Sequence, residues 1–455
     1  MSIAIPAPSD SFTRLADFAL RGSPTQIPAS TMDRAALLLL DTLGICAASA
    51  PMDAGRIARD TTLALYGTAD PAMSARLLFD GRPASLAGAA FAAATQTDNL
   101  DGHDGYNPTK GHIGVAAVPA LSALAQHLPD LTGPQALAAL ITGYEVAGRA
   151  GTALHGSVSD YHTSGAWNAL GVVALAARLR GLSDSQLRHA LGIAEYHGPR
   201  SQMMREIANP TMLHDGSGMG ALVGISSVIM AEKGFTGAPA ITLEAPDVAH
   251  HWADLGQLWQ TELQYVKPYP ICRWAHAPID GAKLLRDRHG IDHTKITRIT
   301  IRSFAESIAL YPAMPNHTAR AQYALAFPVA WMLVNGHIGL DQISGAGLTD
   351  ARVARLVGLT EGIVDPRHQS RFPGGRWADI EIGMDDGSTY RSGDLNASGG
   401  PDAPFDSDRI CAKYMAFAAP VLGRARAKAL MTAVLALPRS DVLFSDVTGL
   451  ILPAP

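Results

Sequence analysis

A multidomain α and α+β architecture, in which a large all-α helical bundle is interrupted by a smaller α+β domain, is what this sequence predicts. Three observations carry that expectation. The chain of 455 residues is too long for one compact core. Residues 10–260 space their apolar side chains as helices do and are rich in alanine and glycine. After about residue 265 β-branched, alternating runs appear, and a helical pattern returns from Phe405 to Leu437. The expected boundaries are an all-α domain over 1–267, an α+β domain over 268–400 and a C-terminal helical segment over 401–455 that rejoins the first domain.

The elements follow in order. In PASTMDRAALLLLDTLGICAAS, Ser30 is placed to cap a helix with Asp33 three residues on, and Met32, Ala35, Leu39, Leu43 and Cys46 share one face. TGPQALAALITGYEVAGRAG reads as a helix with Pro134 in its first turn. WNALGVVALAARLRG and LSDSQLRHALGIAEYHG read as two more, each stopped by a glycine and the second opened by a cap. ITRITIRSF (296–304) alternates as a strand. WADIEIGMDDGSTYRSG reads as two strands turning at Asp385-Asp386-Gly387, and ARVARLVGLTEGI as a short helix between strands.

Composition excludes several function classes. A net charge of −5 leaves no basic footprint for nucleic acid. Three distant cysteines (Cys46, Cys272, Cys411) argue against a disulfide framework and against a clustered zinc or iron–sulfur site. The N-terminal residues carry no signal-peptide pattern, and no run of about 18 apolar residues escapes a charge or glycine. The expectation is a cytoplasmic protein without membrane or nucleic-acid partners. With 47% hydrophobic and only 17% charged residues, buried subunit surface is expected, and with it a homodimer.

The chemistry concentrates in TDNLDGHDGYNPTKGHIGVAAVP (97–119), where Asp98, Asp101, His103, Asp104, Lys110 and His112 fall within fifteen residues broken by glycines. Titratable groups on a loop between helices are the usual setting for catalysis, although a charged surface turn has the same composition. Two further histidines precede glycine-rich helix starts, His162 in YHTSGAWNALG and His214 in NPTMLHDGSGMGALVG. A helix N-terminus favours a bound anion there. VKPYPICRWAHAPIDGAKLL gathers Lys267, Cys272, Arg273 and His276 near the expected boundary, a cation-rich segment suited to carboxylates. His103-Asp104 also invites comparison with the metal-binding dyad of helical HD phosphohydrolases, but Gly102 and Gly105 bracket it.

In chain order these patches resemble the MmgE/PrpD family, from DTLGICAAS at Asp41 to the C-terminal helices. LDGHDGYNPTKGHIGVAAVPA is similar to the family's aspartate-rich segment, with Asp101, Asp104 and His112 at its first aspartate, last aspartate and histidine. YHTSGAWNALG places His162 on an active-site histidine, and KPYPICRW places Lys267 on an active-site lysine. The sequence also departs from the decarboxylase branch. His103 stands for its middle aspartate and Gly105 for a threonine; Thr211 replaces a lysine, Phe327 a tyrosine and Cys272 a histidine.

The resemblance implies a helical dimerising domain, an α+β lid closing over a cleft, no metal or organic cofactor, and a small polycarboxylate substrate. Asp101, Asp104, His112, His162 and Lys267 are then the expected catalytic residues. His103, Lys110, His214, Cys272, Arg273 and His276 are the expected substrate-binding ones. Removing a proton α to a carboxylate and protonating a leaving hydroxide both suit histidine. The expected reaction is a 2-methylcitrate dehydratase-like dehydration or hydration. Epimerisation of a substituted succinate and cis-aconitate-type decarboxylation are the alternatives, with a metal phosphohydrolase or a non-catalytic carboxylate binder more remote.

Overall fold

The computed structural model describes residues 7–439 and 441–453. The chain forms two compact units. One comprises the residues up to Met203, then His214–Gln264 and Asp406 onward; the other comprises Met204–Leu213 and Tyr265–Phe405.

The first unit is built from helices, chiefly Ala29–Ser49, Leu86–Asp98, Gly114–Leu124, Gly133–Ser157, Gly165–Arg180, Asp184–His197, Ser217–Glu232, Ser407–Leu422 and Arg424–Ala436. Met32, Ala35, Leu39, Leu43 and Cys46 are all buried, as their spacing predicts. Small residues let the helices approach closely. A Cβ on Gly171 would stand 2.6 Å from that of Ala147 and from the Gly143 carbonyl oxygen, so any larger side chain there would force the pair apart. Thr132 and Ser183 cap their helices in reciprocal pairs with Gln135 and Gln186. Gly181, at φ 67°, ends the Gly165–Arg180 helix.

One sequence expectation is corrected in this unit. Ser30 does not cap; the helix already starts at Ala29, and the hydroxyls of Ser30 and Thr31 donate instead to Glu262 at 2.9 and 2.6 Å. The C-terminal helical pattern forms two helices, parted at Gly423, whose φ of 78° no continuing helix accepts.

The second unit carries a five-stranded sheet. Ile296–Ser303 pairs in parallel with the edge strand Thr360–Val364 and antiparallel with Trp377–Met384, which pairs in turn with Thr389–Arg391 and Leu395–Asn396. The Asp385-Asp386-Gly387 turn forms as read, with Gly387 at φ 82°. ARVARLVGLTEGI is not one helix. It stops at Gly358, and Thr360–Val364, β-branched at both ends, joins the sheet. The helices His276–His289 and Ala326–Asn335 also belong to this unit.

Candidate active site

The loop joining the helices Leu86–Asp98 and Gly114–Leu124 holds the predicted cluster, and its backbone is strained. Among the described residues four non-glycine positions have a left-handed backbone, and three of them are Asp101 (φ 51°), Lys110 (φ 55°) and His214 (φ 47°). Such conformations persist only where the surroundings enforce them, and they gather at functional sites. The loop is buried: Asp101, His103, Asp104 and His112 are all at most 6% exposed. A solvated surface turn is thereby excluded.

His112 is held from two sides. Its Nδ1 lies 2.7 Å from the main-chain oxygen of Asp104, and its own amide donates to Ser164 Oγ at 3.0 Å. A carbonyl only accepts, so Nδ1 carries a hydrogen and Nε2 is the working nitrogen. Nε2 lies 3.5 Å from Asp215 Oδ2 and 4.0 Å from Asp101 Oδ1. Nε2 therefore faces two carboxylates. The His103 ring packs edge-on against His112 at 4.5 Å. Its Nδ1 is 3.3 Å from the same Asp104 carbonyl and its Nε2 3.5 Å from Asp98 Oδ1.

Two helix N-termini converge here, and each meets a carboxylate of the protein itself. Ser164 Oγ donates to Asp215 Oδ1 at 2.7 Å and its amide does so at 3.3 Å, at the start of Gly165–Arg180. The Ser217 amide donates to Asp98 Oδ2 at 3.1 Å, at the start of Ser217–Glu232. The anion expected at these termini is therefore already supplied, which places aspartates where the helix dipole favours them. Burial, reinforced by the charge of Asp98, still pushes the Asp215 carboxyl up to about 6.

Asp104 meets the two imidazoles through its main-chain oxygen and not through its carboxylate. That carboxyl turns to Tyr144 and the amide of Gly114, and burial pushes it up to about 7. A Cβ on Gly114 would stand 2.4 Å from Asp104 Oδ1, so only glycine admits the carboxyl. Asp41 lies on the same buried side, paired with Lys413 at 2.6 Å.

His162 has different neighbours. Its amide donates to His155 Nε2 at 3.2 Å. Burial, with the positive charge of Arg200, lowers its pKa, so it is neutral at pH 7. His155 is driven down to about 4 by burial and by the Lys110 ammonium. That ammonium sits 4.1 Å over the ring of Tyr161, whose hydroxyl donates to the Lys110 carbonyl. His214 is buried directly before Asp215.

The second unit holds Lys267, Cys272, Arg273 and His276, all buried. Arg273 donates to the carbonyls of Ser398 at 2.7 Å and Ala397 at 2.9 Å and stacks over Tyr265 at 4.3 Å. His276 Nε2 lies 2.9 Å from the Ile271 carbonyl. His276 thus ties back to its own segment while Arg273 holds residues 397–398, and burial lowers the Arg273 guanidinium to about 10. The Cys272 amide donates to the Gln322 carbonyl. Asp365, His368 and Asp379 bring ligand atoms within 4.8 Å of one another. Arg367 and Arg302 are already paired with those carboxylates, which makes the trio an ion-pair network rather than a cation cage.

Sequence reasoning did not assign roles to Asp98, Asp215, Ser164, His155, Tyr144 or Lys413. Asp98 and Asp215 carried a signal, since Asp98 lies in the charged cluster itself and Asp215 directly follows His214. Ser164 and His155 lie within seven residues of His162. Tyr144 and Lys413 have no local mark.

Among the described residues no single helix is long and apolar enough to cross a membrane. A cis-aconitate decarboxylase-like protein of Aspergillus oryzae is 26% identical to the chain, with 92% of each covered. Cis-aconitate decarboxylase of Aspergillus terreus is 23% identical over 93% of this chain and 92% of its own. The Homo sapiens cis-aconitate decarboxylase is 24% identical over 73% of each. The family model described as the MmgE/PrpD N-terminal domain matches residues 13–253, and that of the MmgE/PrpD C-terminal domain matches 269–437. With both domains matched in order, the chain belongs to the MmgE/PrpD family.

Proposed function

We propose that this protein is a lyase acting on a small di- or tricarboxylate by proton transfer at the carbon α to a carboxylate, without a metal or organic cofactor. One observation carries the reading. His112 donates through Nδ1 to the Asp104 carbonyl and turns Nε2 toward Asp215 and Asp101, in a buried and strained loop. That geometry stores a proton on the His112–Asp215 pair, which serves as the general acid. His162, kept neutral by burial, has a lone pair to offer and serves as the base. Lys110 supplies positive charge for substrate carboxylates and for the enolate-like charge that develops as the α-proton leaves, a role that the family resemblance also implies for Lys267.

In dehydration, the His162 imidazole takes the α-proton, the electron pair forms the alkene, and the His112 proton leaves with the hydroxide as water. Decarboxylation is the second reading, favoured by the names of the relatives. There the C–C bond breaks, CO₂ departs, the electron pair stays on the substrate carbon as an enolate-like carbanion, and the acid protonates that carbon. Against it stand Thr211 and Phe327 where that branch is polar. Thr211 is tied to Glu206 through its amide and hydroxyl, and Phe327 is fully buried.

The test is to incubate the purified protein with citrate-like hydroxy acids, their unsaturated counterparts and substituted succinates. Alkene absorbance and CO₂ are followed together. Absorbance change without CO₂ supports elimination, CO₂ release supports decarboxylation, and a change in optical rotation alone supports epimerisation. Silence on every acid in every channel removes the lyase reading.

A further inference from the structure

The Lys413 ammonium reaches the candidate loop from a helix more than three hundred positions away in sequence. Its Nζ donates to the Gly102 carbonyl at 2.6 Å and pairs with Asp41 Oδ1, also at 2.6 Å. The Lys413 side chain is 7% exposed and that of Asp41 fully buried. Its helix, Ser407–Leu422, is seated firmly. A Cβ on Gly44 would stand 2.7 Å from the ring of Tyr414, so glycine in Ala29–Ser49 lets the two helices meet at the turn that carries Lys413.

Gly102 stands between Asp101, with its left-handed backbone, and His103. Holding its carbonyl fixes both neighbours, and through the next peptide it fixes the Asp104 carbonyl on which both imidazoles rest. A buried ion pair is a poor way to gain stability alone, since apolar side chains of like volume commonly do as well. What an apolar pair lacks is a donor for Gly102.

We propose that Lys413 is a positioning residue for the His103/His112 pair, anchored by Asp41 and acting through the Gly102 carbonyl. The idea rests on the reading of this loop as the proton-transfer site, but its first test does not need a substrate.

The variant is Asp41→Asn combined with Lys413→Met, which removes both charges and leaves neither buried alone. Histidine ring resonances, assigned with His103→Gln and His112→Gln, are titrated by NMR, with exposed His250 as the internal control. The expected result is a folded protein in which the His103 and His112 titrations move while that of His250 does not. With a substrate in hand, kcat falls by about 10- to 100-fold and KM changes far less, as misplacement of a reacting group requires. A folded double variant with unchanged His103 and His112 titrations overturns the proposal, whether or not the lyase reading survives. If the double variant does not fold, native-state hydrogen exchange of the unaltered protein decides. Amides of residues 102–105 and of the helix around Lys413 then open together with one denaturant dependence. A separate, low-energy opening of the loop overturns it.

Discussion

His112 and Asp104 are bonded through a main-chain oxygen, not through a carboxylate: Nδ1 lies 2.7 Å from the Asp104 carbonyl, while the Asp104 side chain turns to Tyr144. The imidazole is therefore oriented by a group that cannot change its charge. It follows that His112→Gln and Asp104→Asn have unequal effects. His112→Gln removes a proton carrier and lowers kcat by about 10²-fold or more. Asp104→Asn keeps the carbonyl and stays within about tenfold of the unaltered protein, below the usual effect of losing an acid or base. Equal losses in purified, folded variants contradict the assignment.

The same carboxyl makes a statement about stability. Burial raises Asp104 to about 7 in the folded protein from 3.8 in the unfolded chain. The folded state thus binds more protons than the unfolded one between those values. The stabilisation linked to this group is complete below about pH 4 and is lost as pH rises through about 7. Asp104→Asn, which cannot ionise, changes from neutral or harmful at pH 5 to relatively stabilising at pH 8. Thermal midpoints across that range check it; a difference between variant and parent that ignores pH rules it out.

How much of this was legible in the sequence depends on how locally each feature is written. The helices with their caps, the Asp385-Asp386-Gly387 turn and the glycine-broken loop rest on residues within a few positions of one another. The direction of the Asp104 side chain does not, because it depends on the left-handed turn at Asp101 and on Tyr144, forty residues later. Lys413 is one lysine on an amphipathic helix, and no spacing rule distinguishes it from a solvated one. Arg273 reads from sequence as a carboxylate grip, yet its guanidinium bonds the carbonyls of Ala397 and Ser398, which a pattern search near residue 273 does not see.

Asp215 sets a pH limb. Its carboxyl, at about 6 and 3.5 Å from His112 Nε2, is ionised at neutral pH, where it holds the imidazole proton in place. With Asp215→Asn the kcat profile loses its inflection near pH 6, and kcat at pH 7 falls by about tenfold or more. An unchanged inflection assigns that limb to another group.

His162 and His155 are bonded neighbours with different expected roles. His162→Ala abolishes the proposed base and lowers turnover by about 10²-fold or more, with KM little changed. His155→Gln keeps an acceptor for the His162 amide and costs far less. Should the two variants lose turnover equally, the pair acts as one unit and the base is not His162 alone.

Lys267 and Arg273 lie six residues apart and are separable by the kind of loss they cause. Lys267→Ala lowers kcat/KM by about 10²-fold, because a developing negative charge loses its cation. Arg273→Lys retains the charge but not the planar fork that serves two carbonyls and stacks on Tyr265. It therefore lowers the thermal midpoint, with each buried carbonyl left unpaired costing about 1–3 kcal/mol. Excess chelator, added to the unaltered enzyme as a third arm, leaves turnover unchanged if residues alone carry the chemistry. A chelator-sensitive activity restored by a divalent ion returns the metal phosphohydrolase reading. A Lys267→Ala protein with normal turnover removes that lysine from the mechanism.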